Sequence, residues 1–476
     1  MANANQLGSV NHVVLLMLEN RSFDHMLGYL YAGSGNVSPS TGQAFEGLTG
    51  EESNPDPTGT AVPVVALTAA TPSVYFMPGA DPGEGYGPTN LQLFGEAAPR
   101  DGTPARNAGF VTDYATTLSG TDASRPVVAG TVAGDIMGMF TPALLPVLSG
   151  LARGFAVCDH WFASAPTETF PNRAFASAAT SQGQMDDSSA TFTCPSIFGL
   201  LGAHQLDWSV YGYVKPPYTQ FDFPDTSSAP ESHFGLFTDF QAAAAAGTLG
   251  AYTFLEPSWG SSGNSQHPNY DVALGEQLIH DVYYALRNGP AWDETLLIIT
   301  YDEHGGCFDH VAPPWGAVPP DSTIGPSGFD FTRFGVRVPA VLVSPRIAAG
   351  TVFRPAGTVP LDHTSILKTI ETRWSLPSLT ARDAAAPDLG DALTLATPRT
   401  DDPLTGVVVP TSTGANPAAG TPSHIQEVQA RIVSQLPVPQ AQGQVPTDVS
   451  KLVTEHDYDT YIETRTAAWK ASRTDP

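Results

Sequence analysis

Two short runs of the chain are apolar at almost every position and stop abruptly at polar residues. Residues 12–18 read His-Val-Val-Leu-Leu-Met-Leu and end at Glu19-Asn20. Residues 296–301 read Leu-Leu-Ile-Ile-Thr-Tyr and end at Asp302-Glu303-His304-Gly305-Gly306. An apolar run of this length without alternation is the pattern of a strand covered on both faces, as in a parallel sheet. Shorter runs at 155–158, 208–211, 252–255 and 338–343 predict further strands. Helical spacing appears over 135–150 (Ile136, Met137, Phe140, Leu144, Leu145, Leu148) and over 272–287, where Leu274, Leu278, Val282 and Leu286 share a face. A helix over 364–374 has Asp362 or Thr364 as its cap. Pro171 and the alanine-rich stretch to Thr180 predict a helix that starts near Thr169. Strands alternating with helices define an α/β protein with a doubly wound, mainly parallel central sheet, helices on both faces and long loop insertions.

The insertions are visible as breaks in this rhythm. Residues 33–105 are rich in Gly, Pro, Thr, Asn and Asp and read as irregular, and a second insertion between 211 and 252 is rich in aromatics. Long loops in compact domains usually carry function. From residue 384 the composition turns to Pro, Thr, Ala, Asp and Gly, and helical spacing returns over 423–436 and 447–470. The expected division is a main domain over 1–383 with the chemistry-bearing motifs, and a linker and helical appendage over 384–476 that packs on it.

Charge narrows the partners. Lys and Arg number 21 against 47 Asp and Glu, a net charge of −26, which excludes nucleic acid, whose phosphates need clustered cations. An acidic protein can still hold a small phosphate where a bound cation supplies the charge. Cys158, Cys194 and Cys307 permit at most one internal disulfide and show no zinc-site spacing. No run is long enough to span a membrane, and residues 1–9 lack the basic and apolar regions of a signal peptide. The expected location is the cytoplasm or, favoured by the low charge and abundant Gly, Ser, Thr and Pro, an exported mature form.

In open parallel sheets ligands bind beyond the carboxyl ends of the strands, where Glu19, Asn20, Asp302 and Glu303 fall. Two adjacent buried acids need a counter-charge. The donors are all oxygen, which suits one divalent ion of the Ca, Mg or Mn type rather than Zn. Thr169 is the candidate nucleophile, since a hydroxyl at a helix start lies where backbone amides favour a phosphate and where a metal can lower its pKa. The same residue could be an ordinary N-cap, and Ser164, Thr167 and Ser177 are nearby rivals. His267, in Gln266-His267-Pro268, could contact a phosphoryl oxygen or protonate a leaving group. His304 and His310 flank the glycine turn and are expected at the site, with Asp24 and Asp309 orienting such histidines and His25 and His363 supporting or capping.

Four motifs stand in order over residues 10–375: Glu19-Asn20-Arg21-Ser22-Phe23-Asp24-His25; Thr169-Phe170-Pro171-Asn172-Arg173; Asp302-Glu303-His304-Gly305-Gly306 through Asp309-His310-Val311; and Gly335-Val336-Arg337-Val338-Pro339 through Ser344-Pro345. Together they resemble the phosphoesterase family of bacterial and plant non-specific phospholipases C and related acid phosphatases, within the alkaline phosphatase-like superfamily. The resemblance implies a metal held by Glu19, Asn20, Asp302 and Glu303, with Thr169 ligating it as a nucleophile that becomes transiently phosphorylated. It further implies phosphoryl contacts from Asn172, His267 and His304, with His310 as a further substrate contact. The family often carries Asp-Pro-x-His in the first insertion, whereas this chain has Asp81-Pro82-Gly83-Glu84. The implied activity is phospholipase C on a phospholipid, with peripheral membrane contact. Acid phosphatase action on small phosphate esters is the alternative. A sulfatase is disfavoured because threonine cannot supply formylglycine, and a non-catalytic head-group-binding protein is the remaining reading. The aromatics between 208 and 237 could box a choline by cation–π contact or simply pack.

Overall fold

A computed structural model describes residues 5–120, 126–187, 191–413, 416–438 and 448–473. Eight strands form the central sheet: β1 His12–Leu18, β2 Ala156–Val157, β3 Trp208–Gly212, β4 Phe234–Leu236, β5 Tyr252–Leu255, β6 Thr295–Tyr301, β7 Ala340–Val343 and β8 Thr351–Val352. Their spatial order is β8-β2-β7-β6-β1-β5-β3-β4. All run in one direction except β7, which is antiparallel to both β6 and β2. Successive residues of a strand face opposite sides of the sheet. Every residue of β6, and all of β1 after His12, is buried, so both faces are covered.

The helices that matter for the site are α1 Phe23–Leu27, α2 Tyr86–Phe94, α3 Phe110–Ser119, α4 Pro146–Gly154, α5 Thr169–Ala178, α6 Val272–Arg287, α7 Thr364–Trp374, α8 His424–Ser434 and α9 Glu455–Arg473. α4 packs with α6, and α5 packs with α7. The helix expected over 135–150 is instead a 3₁₀ turn, Ala133–Met137, a two-residue strand, Gly138–Met139, and α4. Pro142 and Pro146 explain the break: neither has an N–H for an interior helical bond, and Pro146 opens α4 in its first turn. No side chain of its own caps α4. Glu276 of α6 does so, accepting from the amides of Val147 at 2.7 Å and Leu148 at 3.0 Å. The first insertion is less irregular than its composition suggests, since it contains α2. The strand expected from 338 begins only after Pro339, at Ala340. The last helix starts at Glu455, later than the spacing implied, and residue 447 of the expected stretch lies outside the described ones. All three cysteines are unpaired.

The C-terminal helices dock on α5, the helix that opens at Thr169. Ile425, Val428 and Ile432 of α8 and Tyr461 and Trp469 of α9 share a buried cluster with Phe170, Tyr218, Phe221 and Trp259. Among the described residues no helix is long and apolar enough to cross a membrane.

Candidate active site

The register of β1 on β6 pairs Leu18 with Tyr301, so Glu19 and Asp302 leave the sheet side by side. Asp302 is held from three directions. Its Oδ1 accepts from the amides of Asn20 at 2.9 Å and Glu303 at 2.8 Å, and its Oδ2 accepts from Arg173 Nε at 2.9 Å. Arg173, one turn into α5, also donates to the carbonyls of Leu18 at 2.9 Å and Met17 at 3.2 Å. It thereby ties the helix that carries Thr169 to the end of β1. His363 accepts from Trp161 Nε1 on one ring nitrogen, so the other must donate, and it does so to the Asp302 carbonyl at 2.6 Å.

Asn20 adopts a left-handed conformation, φ 57°. Its side chain accepts from the Thr169 hydroxyl at 3.0 Å and donates to Glu84 Oε2 at 2.5 Å. Across from it Gly305 has φ 58°, and a Cβ there would fall 2.2 Å from the Asn20 carbonyl oxygen. Only glycine permits both the conformation and the approach. The two strand ends therefore meet backbone to backbone.

The acids gathered here exceed the cations. Burial and the neighbouring Asp302 push Glu19 up to about 8, and burial with Asp302 also raises Glu303 well above the usual carboxylate range. Glu19 Oε2 and Glu303 Oε1 are buried without any hydrogen-bond donor. Two buried carboxylate oxygens without a donor, on residues flanking Asn20 and Asp302 in the chain, are of the type that a hard cation takes.

The predicted histidines and Asn172 separate into different roles. Gln92 donates its amide to Gly83 O at 2.6 Å and Asp113 Oδ2 at 2.8 Å, so its oxygen accepts from His304 Nε2 at 2.8 Å. The other nitrogen of His304 faces Glu303 Oε2 at 3.0 Å, and burial pulls this histidine down to about 3. His304 thus props Glu303 from behind and does not face the cleft. Asn172 is also spent locally: it accepts from Ala165 N and donates to the carbonyls of Ala165, Thr167 and Glu168, stapling the loop that leads into Thr169. The expected phosphoryl contacts from these two residues are replaced by positioning roles. His310 lies in a separate knot, bonded to Asp24 at 2.6 Å, with Arg337 bridging Asp24 and Asp309 at 2.9 and 3.0 Å. It is not brought to the cleft. The amide beside Thr169, Phe170 N, is taken by Asp187 Oδ1 at 2.8 Å, so the protein's own carboxylate sits where the helix start was expected to receive a phosphate.

His267 does line the cleft. Its Nδ1 donates to the Pro268 carbonyl at 2.9 Å, and Nε2 lies 3.7 Å from Asp81 Oδ1. The cleft has two lobes, of about 530 and 440 Å³, that share Asp81, Pro126 and His424. Glu84 and Glu168 line the second lobe. Because Glu84 is bonded to Asn20, its side chain links that lobe to the buried Thr169–Asn20 pair. Much of the larger lobe, including Thr421, His424, Glu427, Arg431, Val453 and Tyr458, comes from the C-terminal segment. The segment read as an appendage is a wall of the cleft. Asp187, Glu84 and His424 offer ligand-type atoms within 4.8 Å of one another, as do Asp81, Glu84 and His267. Sequence reasoning missed Asp187, His424 and Gln92. None stands in a motif, and only the adjacent pair Asp186-Asp187 repeats the signal of two neighbouring acids.

A hydroxyl at a helix start, carboxylates at two strand ends and an acidic cleft with two imidazoles are groups of the kind that hydrolases bring together. The model of the Phosphoesterase family matches residues 10–377. The chain belongs to that family and is a hydrolase acting on phosphoester bonds. It is 37% identical over 417 residues to non-specific phospholipase C6 of Arabidopsis thaliana, covering 83% of this chain and 74% of that one. It is 29% identical over 442 residues to Phospholipase C A of Mycobacterium tuberculosis (strain ATCC 25618 / H37Rv), covering 82% and 78%. Among solved structures, a protein in the alkaline phosphatase superfamily from Vibrio parahaemolyticus aligns with a TM-score of 0.32 at 14% identity, covering 53% of this chain and 66% of that one.

Proposed function

We propose that the chain is a metal-dependent phospholipase C that releases diacylglycerol and a phosphorylated head group through a phospho-Thr169 intermediate. The observation that carries this reading is the hydrogen bond from the Thr169 hydroxyl to Asn20, beside the unpartnered buried oxygens of Glu19 and Glu303. The names of the relatives support the lipid substrate. Glu19, Asn20, Asp302, Glu303 and Thr169 would hold one divalent ion, with Ca, Mg or Mn suited to the oxygen set. When bound there, such an ion supplies Lewis-acid stabilisation of the Thr169 alkoxide and of charge on the phosphoryl oxygens.

The chain's own groups do the rest. Arg173 fixes α5 against β1 and so sets the position of Thr169. His304 and Gln92 hold Glu303, and Asn20 orients the hydroxyl for attack. Glu84, bonded to Asn20, gives way as the phosphoryl group enters. Contact with the lipid surface is peripheral. The acidic cleft wall repels a phosphomonoester dianion more than a diester monoanion, which ranks lipid above monoester.

Two measurements test the reading. Release is compared for phosphatidylcholine, phosphatidylinositol, a phosphomonoester and a soluble phosphodiester, side by side. Acid-quenched turnover mixtures are searched for phosphate on Thr169. Monoester-only activity would make the protein an acid phosphatase. Turnover retained in Thr169→Ala would remove the nucleophile assignment.

A further inference from the structure

Thr169 is linked to the cleft through Asn20 and Glu84, so in an in-line attack the ester oxygen opposite it departs away from α5, toward the cleft that Glu84 borders. One wall there carries His424, the first residue of α8, which lies beyond the residues matched by the family model. Its ring is part exposed and borders both lobes. Nδ1 of that ring is 3.6 Å from Asp187 Oδ2. The other oxygen of the same carboxylate holds the Phe170 amide, next to Thr169, at 2.8 Å. Asp187 is 1% exposed and is itself fixed by its amide bond to Glu168 Oε2 at 2.7 Å. One buried carboxylate therefore bonds the amide next to Thr169 and lies 3.6 Å from an imidazole that borders both lobes. A carboxylate on one nitrogen of a catalytic histidine is the usual way its ring is aimed.

We propose that His424, supplied by the C-terminal helix and oriented by Asp187, is the acid that protonates the leaving oxygen. The inference rests on the hydrolytic reading above. In the first half-reaction the Thr169 alkoxide forms the Oγ–P bond, the P–O bond to the leaving alcohol breaks, and the imidazolium of His424 gives its proton to that oxygen. In the second, water attacks the phosphothreonine, neutral His424 takes the proton of the water, and the Oγ–P bond breaks to regenerate the alkoxide. The sum is ester plus water giving alcohol plus phosphorylated head group.

The test uses the full chain and two soluble esters with the same phosphocholine part. Dihexanoylphosphatidylcholine releases a glycerol alkoxide that needs a proton, and p-nitrophenylphosphocholine releases p-nitrophenolate, which is stable without one. His424→Ala and His424→Gln are expected to lower kcat/KM on the first about 100-fold and on the second less than about threefold. Added imidazole is expected to restore part of the loss in His424→Ala on the alkyl ester alone. Equal losses on both esters, no loss on either, or a leaving-group-selective loss in His267→Ala but not in the His424 variants would overturn the proposal. A wild-type protein that cleaves neither ester would instead overturn the hydrolytic reading on which it rests.

Discussion

Replacing Arg173 by methionine tests how the acids at the sheet end are held. The guanidinium is 6% exposed and its partner Asp302 is fully buried. Methionine keeps the bulk, which also lies 4.5 Å from the Trp259 ring, but removes three donors. Asp302 loses its only cationic partner in the pair while Glu19 and Glu303 remain beside it, and the carbonyls of Leu18 and Met17 lose a donor. Breaking a buried pair from one side costs about 3–5 kcal/mol. The unfolding entropy of a chain of 476 residues, at about 2.1 cal/mol/K per residue, is about 1 kcal/mol/K, so the melting temperature should fall by about 3–5 °C. The assay is thermal unfolding of wild type, Arg173→Met and Arg173→Lys, each with chelator and with added calcium. Arg173→Lys should recover only part, because one ammonium cannot make the forked contacts to Asp302 and two carbonyls. Calcium should stabilise Arg173→Met more than wild type, since an ion then supplies the missing positive charge. A melt of chelated Arg173→Met within about 1 °C of wild type would refute the idea that this guanidinium offsets the acids.

Three other outcomes are expected. Glu276→Ala leaves the Val147 and Leu148 amides without their acceptor, and should cost about 2 kcal/mol, read as a lowered melting temperature with unchanged activity per folded molecule. At His310, burial lowers the ring's pKa, but the hydrogen bond and charge of Asp24 outweigh it and leave the value raised. The stability it contributes is therefore complete below the unfolded value of about 6.5 and is lost as pH rises through the folded one. The melting-temperature gap between wild type and His310→Gln should be widest in mild acid and close in alkali; a gap that grows with pH would reverse that assignment. Exhaustive chelation should abolish phosphoester hydrolysis and lower the melting temperature, with calcium, magnesium or manganese restoring both, whereas activity that survives chelation would remove the metal from the reaction.

What the sequence reveals here follows from how locally each feature is specified. β1 and β6 are legible because burial on both faces leaves an unbroken apolar run, and the polar residues that end each run must fall at the sheet's edge. That alone brings Glu19 and Asp302 together. The chemistry of Asn172 and His304 is not legible in this way. Residue type shows that an amide or imidazole is present, but the carbonyls of Ala165, Thr167 and Glu168, and Gln92 of α2, decide where its bonds go. The proline-interrupted stretch at 135–150 misleads because helical spacing of apolar residues continues across Pro142 and Pro146. The C-terminal helices show an apolar face in the sequence, yet nothing in that face says it covers Phe170 or that His424 ends up beside Asp187.

The contact between Gly305 and the Asn20 carbonyl has a kinetic consequence. Two chain segments that meet through backbone atoms, with no side chain between them to swing aside, form a floor that cannot breathe without breaking the sheet's edge. Each catalytic cycle must nevertheless admit a bulky ester and discharge two products. That traffic is left to Glu84, bonded to Asn20 at the end of one lobe, and to the wall formed by α8 and its neighbours. Where the chemical step is fast, motion of that wall is the step expected to limit turnover.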